Sequence, residues 1–143
     1  MKVTLLLADA AQVADGKLYI LGGGWSVMGP QPTPFAIAIK VEVPWDQANR
    51  KHNWRLALVD ADGHPVLVPA GGGGEKRPLE VGGVFEVGRA PGLPAGTPID
   101  LPLALSFAPV PLAPGRRFVW QFEVDGRVEE DWHLAFITRA LDR

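Results

Sequence analysis

Three glycines run into a tryptophan and a serine at Gly22-Gly23-Gly24-Trp25-Ser26, and such a stretch offers two chemistries. A glycine loop cradles phosphate when its N–H groups converge at the start of a helix, and a serine becomes a nucleophile when a strand–turn–helix elbow lifts it. Both need a helix behind the loop. Val27-Met28-Gly29-Pro30 has no helical period and closes on Gly-Pro, so neither chemistry is expected. Ser26 also lacks the second glycine of the elbow motif. A second glycine run, residues 71–74, continues into Glu75-Lys76-Arg77 and lacks the Gly-Lys-Ser/Thr ending of a phosphate loop.

Metal chemistry fares no better. Asp60-Ala61-Asp62-Gly63 opens like a calcium loop, but Gly71 stands where the bidentate glutamate belongs, and a hairpin turn is the simpler expectation. His52, His64 and His133 lie far apart, with no pair at a short spacing, and there is no cysteine. No metal centre and no cofactor is expected. Glu129, Glu130 and Asp131 precede His133; on a strand, Glu129, Asp131 and His133 would share one face and could move protons or hold a cation. A solvated face that discourages edge aggregation is the expectation we prefer.

Tryptophan is the remaining unusual resource, with five in 143 residues. Trp54, Trp120 and Trp132 fall on inward positions of strand alternation. Trp25 and Trp45 sit in loops beside Gly or Pro, where they either plug the ends of the fold or touch a partner. With Gly23, Gly24 and Met28, these two form the candidate contact set for a protein, a sugar or another subunit.

Period-two alternation supplies the elements that must position these residues. In Phe35–Val43 the odd positions are all apolar, and Ala36, Ala38, Lys40 and Glu42 are expected on the wet face. Residues 99–107 repeat the pattern, and Pro102 assigns that strand to an edge or a bulge. Phe118, Trp120, Phe122 and Val124 run into Asp125-Gly126, a hairpin turn, with Trp132, Leu134 and Phe136 on the return. A second hairpin is expected around Asp60 to Pro65, joining Trp54, Leu56 and Leu58 to a strand over residues 66–68. Residues 79–87 make a further strand in which Gly82-Gly83 marks a bulge or a close backbone contact. Helical signal is sparse: residues 9–16 carry Asp9 and Gly16 as caps for one or two turns, and residues 44–52 carry another turn after Pro44. The expectation is one all-β domain over 1–143, an antiparallel β-sandwich of immunoglobulin-like type with about eight strands.

Composition limits the function classes. Fourteen basic and sixteen acidic residues leave a formal charge of −2, with no cluster fit to neutralise a row of phosphates, so nucleic acid is not an expected partner. No window reaches the roughly 18 apolar residues that span a bilayer. The run from Val3 to Ala8, interrupted by Asp9, reads as a first strand rather than a signal core. Absence of cysteine fits a reducing cytoplasm.

With "LADAAQVADGKLYILGGGWSVMGP", "VPWDQANRKH" and "EVGRAPGLPAGTPIDLPLALSF" in view, the whole chain resembles an uncharacterised family of small bacterial proteins, a domain of unknown function. That resemblance implies a bacterial, cytoplasmic, stand-alone domain and brings no activity, cofactor or catalytic residue. The stretch "LAPGRRFVWQFEVDGRV" is similar to the entry of a late strand in immunoglobulin-like sandwiches. The expected function is therefore a non-catalytic interaction or self-assembly module. The alternatives are a small-ligand binder that stacks its ligand on loop tryptophans, and a metal-dependent enzyme on the Glu129, Asp131 and His133 face.

Overall fold

The first strand, β1 (Lys2–Ala14), runs well past its apolar segment. In the computed structural model, which describes residues 1–70 and 74–141, it passes through the stretch 9–16 where helical turns were expected. Asp15 and Gly16 adopt φ of 50° and 69°, the two left-handed residues of a tight hairpin turn. β2 (Lys17–Gly23) then returns antiparallel, with Ala14 opposite Lys17 and Ala8 opposite Gly23. Asp and Gly serve β-turns as readily as helix caps, and pairing along the whole hairpin overrides a weak local preference.

The remaining elements follow as β3 (Val27–Met28), β4 (Phe35–Val43), a 3₁₀ turn (Trp45–Gln47), β5 (His52–Asp60), β6 (Leu67–Pro69), β7 (Lys76–Pro78), β8 (Glu80–Phe85), β9 (Ile99–Phe107), β10 (Arg117–Val124) and β11 (His133–Thr138). They build a four-stranded sheet in the order β2-β1-β4-β9, a five-stranded sheet in the order β3-β11-β10-β5-β8, and a ribbon of β6 and β7. Every pairing is antiparallel except β3 with β11, which is parallel. Pro102 lies on β9, an edge strand as its missing N–H requires. The fold is all-β; the segments that were not expected are β3 and β7, of two and three residues, while β6 falls within a residue of the strand expected over 66–68.

One core takes side chains from both larger sheets. Phe35, Ile37, Ile39, Val41 and Val43 of β4 are at most 3% exposed, and burial of each such side chain contributes roughly 1.5–3 kcal/mol. Opposite them stand Leu56, Leu58, Trp120 and Phe122. The Trp120 ring lies 6.3 Å from Phe35 and 5.2 Å from Phe107, so aromatic side chains of the two sheets meet at the centre.

The other face of β4 differs from expectation. Ala36 and Ala38 are 1% and 2% exposed, not wet. The register puts Gly23, Ala8, Ala36 and Ser106 in one row across four strands, with Leu6, Ala38 and Ala104 in the next. Side chains this small let a sheet curl tightly, and β1 and β9 approach within 8 Å of each other although β4 lies between them. The alanines are buried inside that curl. Further along, the same face turns polar, where Lys2 meets Glu42 and Lys40 meets Asp100 at 3.9 and 3.7 Å.

Two turn expectations need adjustment. Asp125 and Gly126 form the tight turn, with φ of 51° and 78°, and Val124 pairs with Arg127. The chain then leaves the ladder at 128–131 and rejoins it when the Phe122 N–H donates to the Trp132 carbonyl at 3.0 Å. Glu129 and Asp131 therefore sit in a turn and share no strand face with His133. At the other hairpin the Asp60 turn returns only as far as Val66, whose N–H donates to the Leu58 carbonyl; β6 then pairs with β7, and β8 takes the place beside β5.

Candidate functional site

The expected contact residues are not brought together. Gly23 closes β2, and the Gly24 N–H donates to the Leu7 carbonyl at 2.8 Å, so the glycines turn a corner and no helix follows. The Asp9 carboxylate packs so closely over Gly22 that an added Cβ would lie 2.2 Å from its oxygen. Met28 is 5% exposed, paired with Thr138, and belongs to the core rather than to a contact surface. Trp25 is half-buried against that core, with an indole nitrogen that is buried and unpartnered. Trp45 follows the far end of β4, beyond Val43, whereas Gly24 bonds beside the Phe35 end. One face of Trp45 carries the Arg89 guanidinium at 4.7 Å, and Arg89 also donates two hydrogen bonds to the Trp45 carbonyl. An apolar cavity of about 590 Å³ opens beside it, between Met1, Pro44 and Pro98.

The more conspicuous surface is the β2 edge. No strand is hydrogen-bonded to its outer side among the described residues, although the curl of the sheet brings part of β9 within 8 Å of β2, and residues 18–24 carry no charge. The two-residue turn closes on the Ala14–Lys17 pair, so the N–H and C=O groups of Leu18 and Ile20 point to the open side. Tyr19 is 50% exposed and Leu21 71%, with Val13 and Ile20 also exposed nearby. Soluble proteins normally guard such an edge with lysine, proline or a bulge. The signal was present in Leu18-Tyr19-Ile20-Leu21, a run without alternation, which is apolar on both faces.

His52 carries the most buried ionisable side chain of the described residues, at 4% exposure. Its Nδ1 lies 2.7 Å from Asp125 Oδ2 and its Nε2 lies 2.8 Å from the Gln47 carbonyl, while Phe85 stacks on the ring at 5.1 Å. A carboxylate and a carbonyl only accept, so both contacts are complete only when both ring nitrogens carry hydrogen. The Asn53 N–H donates to the second Asp125 oxygen at 2.8 Å. The His52 hydrogen bond, and then that of Asn53, hold the Asp125 carboxyl below its ordinary pKa. With both ring nitrogens engaged by protein oxygens, His52 ties the 3₁₀ turn, β5 and the β10–β11 turn together. A polar cavity of about 210 Å³ lies over this group. Sequence reasoning missed the pair because 73 residues separate its members.

The three histidines do not converge. His64 lies in the Asp60 turn, where Asp60, Asp62 and His64 bring one ligand atom each to within 4.8 Å. The Asp60 Oδ1 already accepts N–H groups from Asp62 and His64 at 2.9 Å, as an ordinary turn requires. Gly71, named against the calcium-loop reading, lies outside the described residues. His133 opens β11, exposed and apart from both.

The model of a family of unknown function, DUF6941, matches residues 3–137 of the 143. The chain belongs to DUF6941. The resemblance seen in the sequence is thereby confirmed as membership of a family without an assigned function. No curated protein and no solved structure matches this DUF6941 chain. Among the described residues, no helix is long and apolar enough to cross a membrane.

Proposed function

We propose that this protein is a non-catalytic self-assembly module in the bacterial cytoplasm, built as an immunoglobulin-like sandwich, and that two copies join edge to edge through β2. The two larger sheets facing each other across Trp120 support the architecture, and the cysteine-free composition supports the compartment. The observation that carries the function is the unpaired β2 edge, uncharged beyond Lys17, with its exposed Tyr19 and Leu21.

A second copy is the partner that suits this edge. Antiparallel pairing of β2 with its own copy about an axis at Ile20 sets Tyr19 against Leu21 twice on one face, and Leu18 against Gly22 on the other. Lys17 falls opposite Gly23, so the strand's one charge never meets its like. Each bulky side chain thus faces an apolar or absent one, and the edge groups of both copies find backbone partners. Native mass spectrometry is expected to show a dimer, with the Leu21→Arg protein monomeric and its melting temperature unchanged. A monomeric wild-type protein would contradict the reading.

The cavity beside Trp45 favours a second reading, a small ligand stacked on that indole. It predicts quenching of tryptophan fluorescence by a sugar, lost in Trp45→Ala; a sugar panel without saturable quenching excludes it. The enzymatic reading loses its geometry, because Glu129 and Asp131 are not on a face with His133.

A further inference from the structure

The cavity above His52 has an arrangement that self-assembly does not use. Its buried lining is His52 together with the apolar side chains of Val124 and Trp132, which are 4% and 3% exposed. Its walls carry Arg50 and Arg127 against Asp125 and Glu129. The four charges are not equally free. Both Asp125 oxygens already accept hydrogen bonds, one from His52 and one from Asn53. Arg50 gives one hydrogen bond, to the Asp46 carbonyl at 3.2 Å, and Arg127 takes part in no ion pair or side-chain hydrogen bond among the described residues. Arg55, by contrast, is fully engaged by Glu80 and Glu123. Glu129 likewise takes part in no ion pair or side-chain hydrogen bond among the described residues. The cavity therefore sets the donors of two guanidinium groups against one free carboxylate, beside the apolar Val124 and Trp132.

We propose that this cavity binds a small carboxylate: the carboxylate is forked by Arg127 with help from Arg50, and a short apolar body rests on Trp132. A planar guanidinium matches a carboxylate in two parallel hydrogen bonds, which a round or tetrahedral anion uses less well. The volume of about 210 Å³ suits a molecule of a few heavy atoms. Glu129 stands on the same wall, so the ligand is either a simple carboxylate or an amino acid whose ammonium group Glu129 receives.

The test is a titration followed by backbone amide NMR shifts, with sodium propionate, glycine, sodium phosphate and sodium chloride at matched ionic strength. Propionate is expected to give saturable shifts confined to Gln47, Arg50 and residues 125–132, and chloride none. Arg127→Gln should weaken that binding roughly ten- to hundredfold without changing the melting temperature. Tighter binding of glycine that is lost in Glu129→Gln identifies an amino acid, and equal binding of both identifies a simple carboxylate. Non-saturating propionate shifts, phosphate binding tighter than propionate, or binding unchanged in Arg127→Gln each overturns the proposal.

Discussion

Asp125 shows how one side chain can serve several elements. Its backbone holds the left-handed turn position, and its two oxygens reach His52 and Asn53. Asp125→Ala leaves the buried His52 Nδ1 without its acceptor, so a loss of about 1–3 kcal/mol is expected in urea unfolding. The pH dependence has a definite sign. Because the folded carboxyl sits below its ordinary pKa, its contribution is complete above the ordinary aspartate range and is lost as pH falls through the depressed value. Melting curves of Asp125→Asn should therefore fall less steeply with acid than those of the wild type; parallel acid branches would assign the effect elsewhere. None of this is legible in the sequence, where Asp125-Gly126 reads as a turn and His52 as an isolated histidine. Turn chemistry is local, but the partner of a turn side chain depends on how the sheet is assembled.

At the scale of elements, alternation revealed the strands and small residues decided their shape. Gly82 and Gly83 were expected at a close approach. An added Cβ on Gly82 would lie 2.8 Å from the Trp54 carbonyl oxygen, and on Gly83 3.0 Å from the indole nitrogen. Gly82→Val is expected to destabilise by about 1–3 kcal/mol, read as a lower urea midpoint with unchanged slope, since backbone cannot yield as a side chain does. Ala38→Leu should cost a similar amount, because it fills the curl between β1 and β9. If Ala38 faced water instead, the substitution would be neutral. The strands β4, β5, β9 and β10 were readable from period two because large apolar side chains recur at every second residue, even where Ala36, Ala38 and Ala57 leave the other face buried as well. The expected helix over 9–16 and the expected strand over 129–131 failed for one reason: pairing with the neighbouring strand, β2 in the first case and β10 in the second, decides whether those residues extend.

Across the whole molecule, the two sheets differ in how they end. The five-stranded sheet closes one side with β3, only two residues long, and the other with β8, where Glu80 is held by Arg55. The four-stranded sheet ends on one side at β9, interrupted by Pro102, and on the other at β2, which carries apolar side chains and no guard beyond Lys17. An edge left open in this way is the natural seam for a second copy. The chain has no cysteine, so one introduced residue reports on that seam without background. Facing residues of an antiparallel pair bring Cα atoms to about 4.5–5.5 Å, within reach of a disulfide. The most direct measurement is mild oxidation of Ile20→Cys, read by non-reducing electrophoresis and intact mass, beside Val84→Cys on the exposed face of β8. A disulfide-linked dimer from Ile20→Cys, with Val84→Cys remaining monomeric, is the predicted result. An Ile20→Cys protein that stays monomeric, or cross-links no faster than Val84→Cys, would contradict assembly through β2.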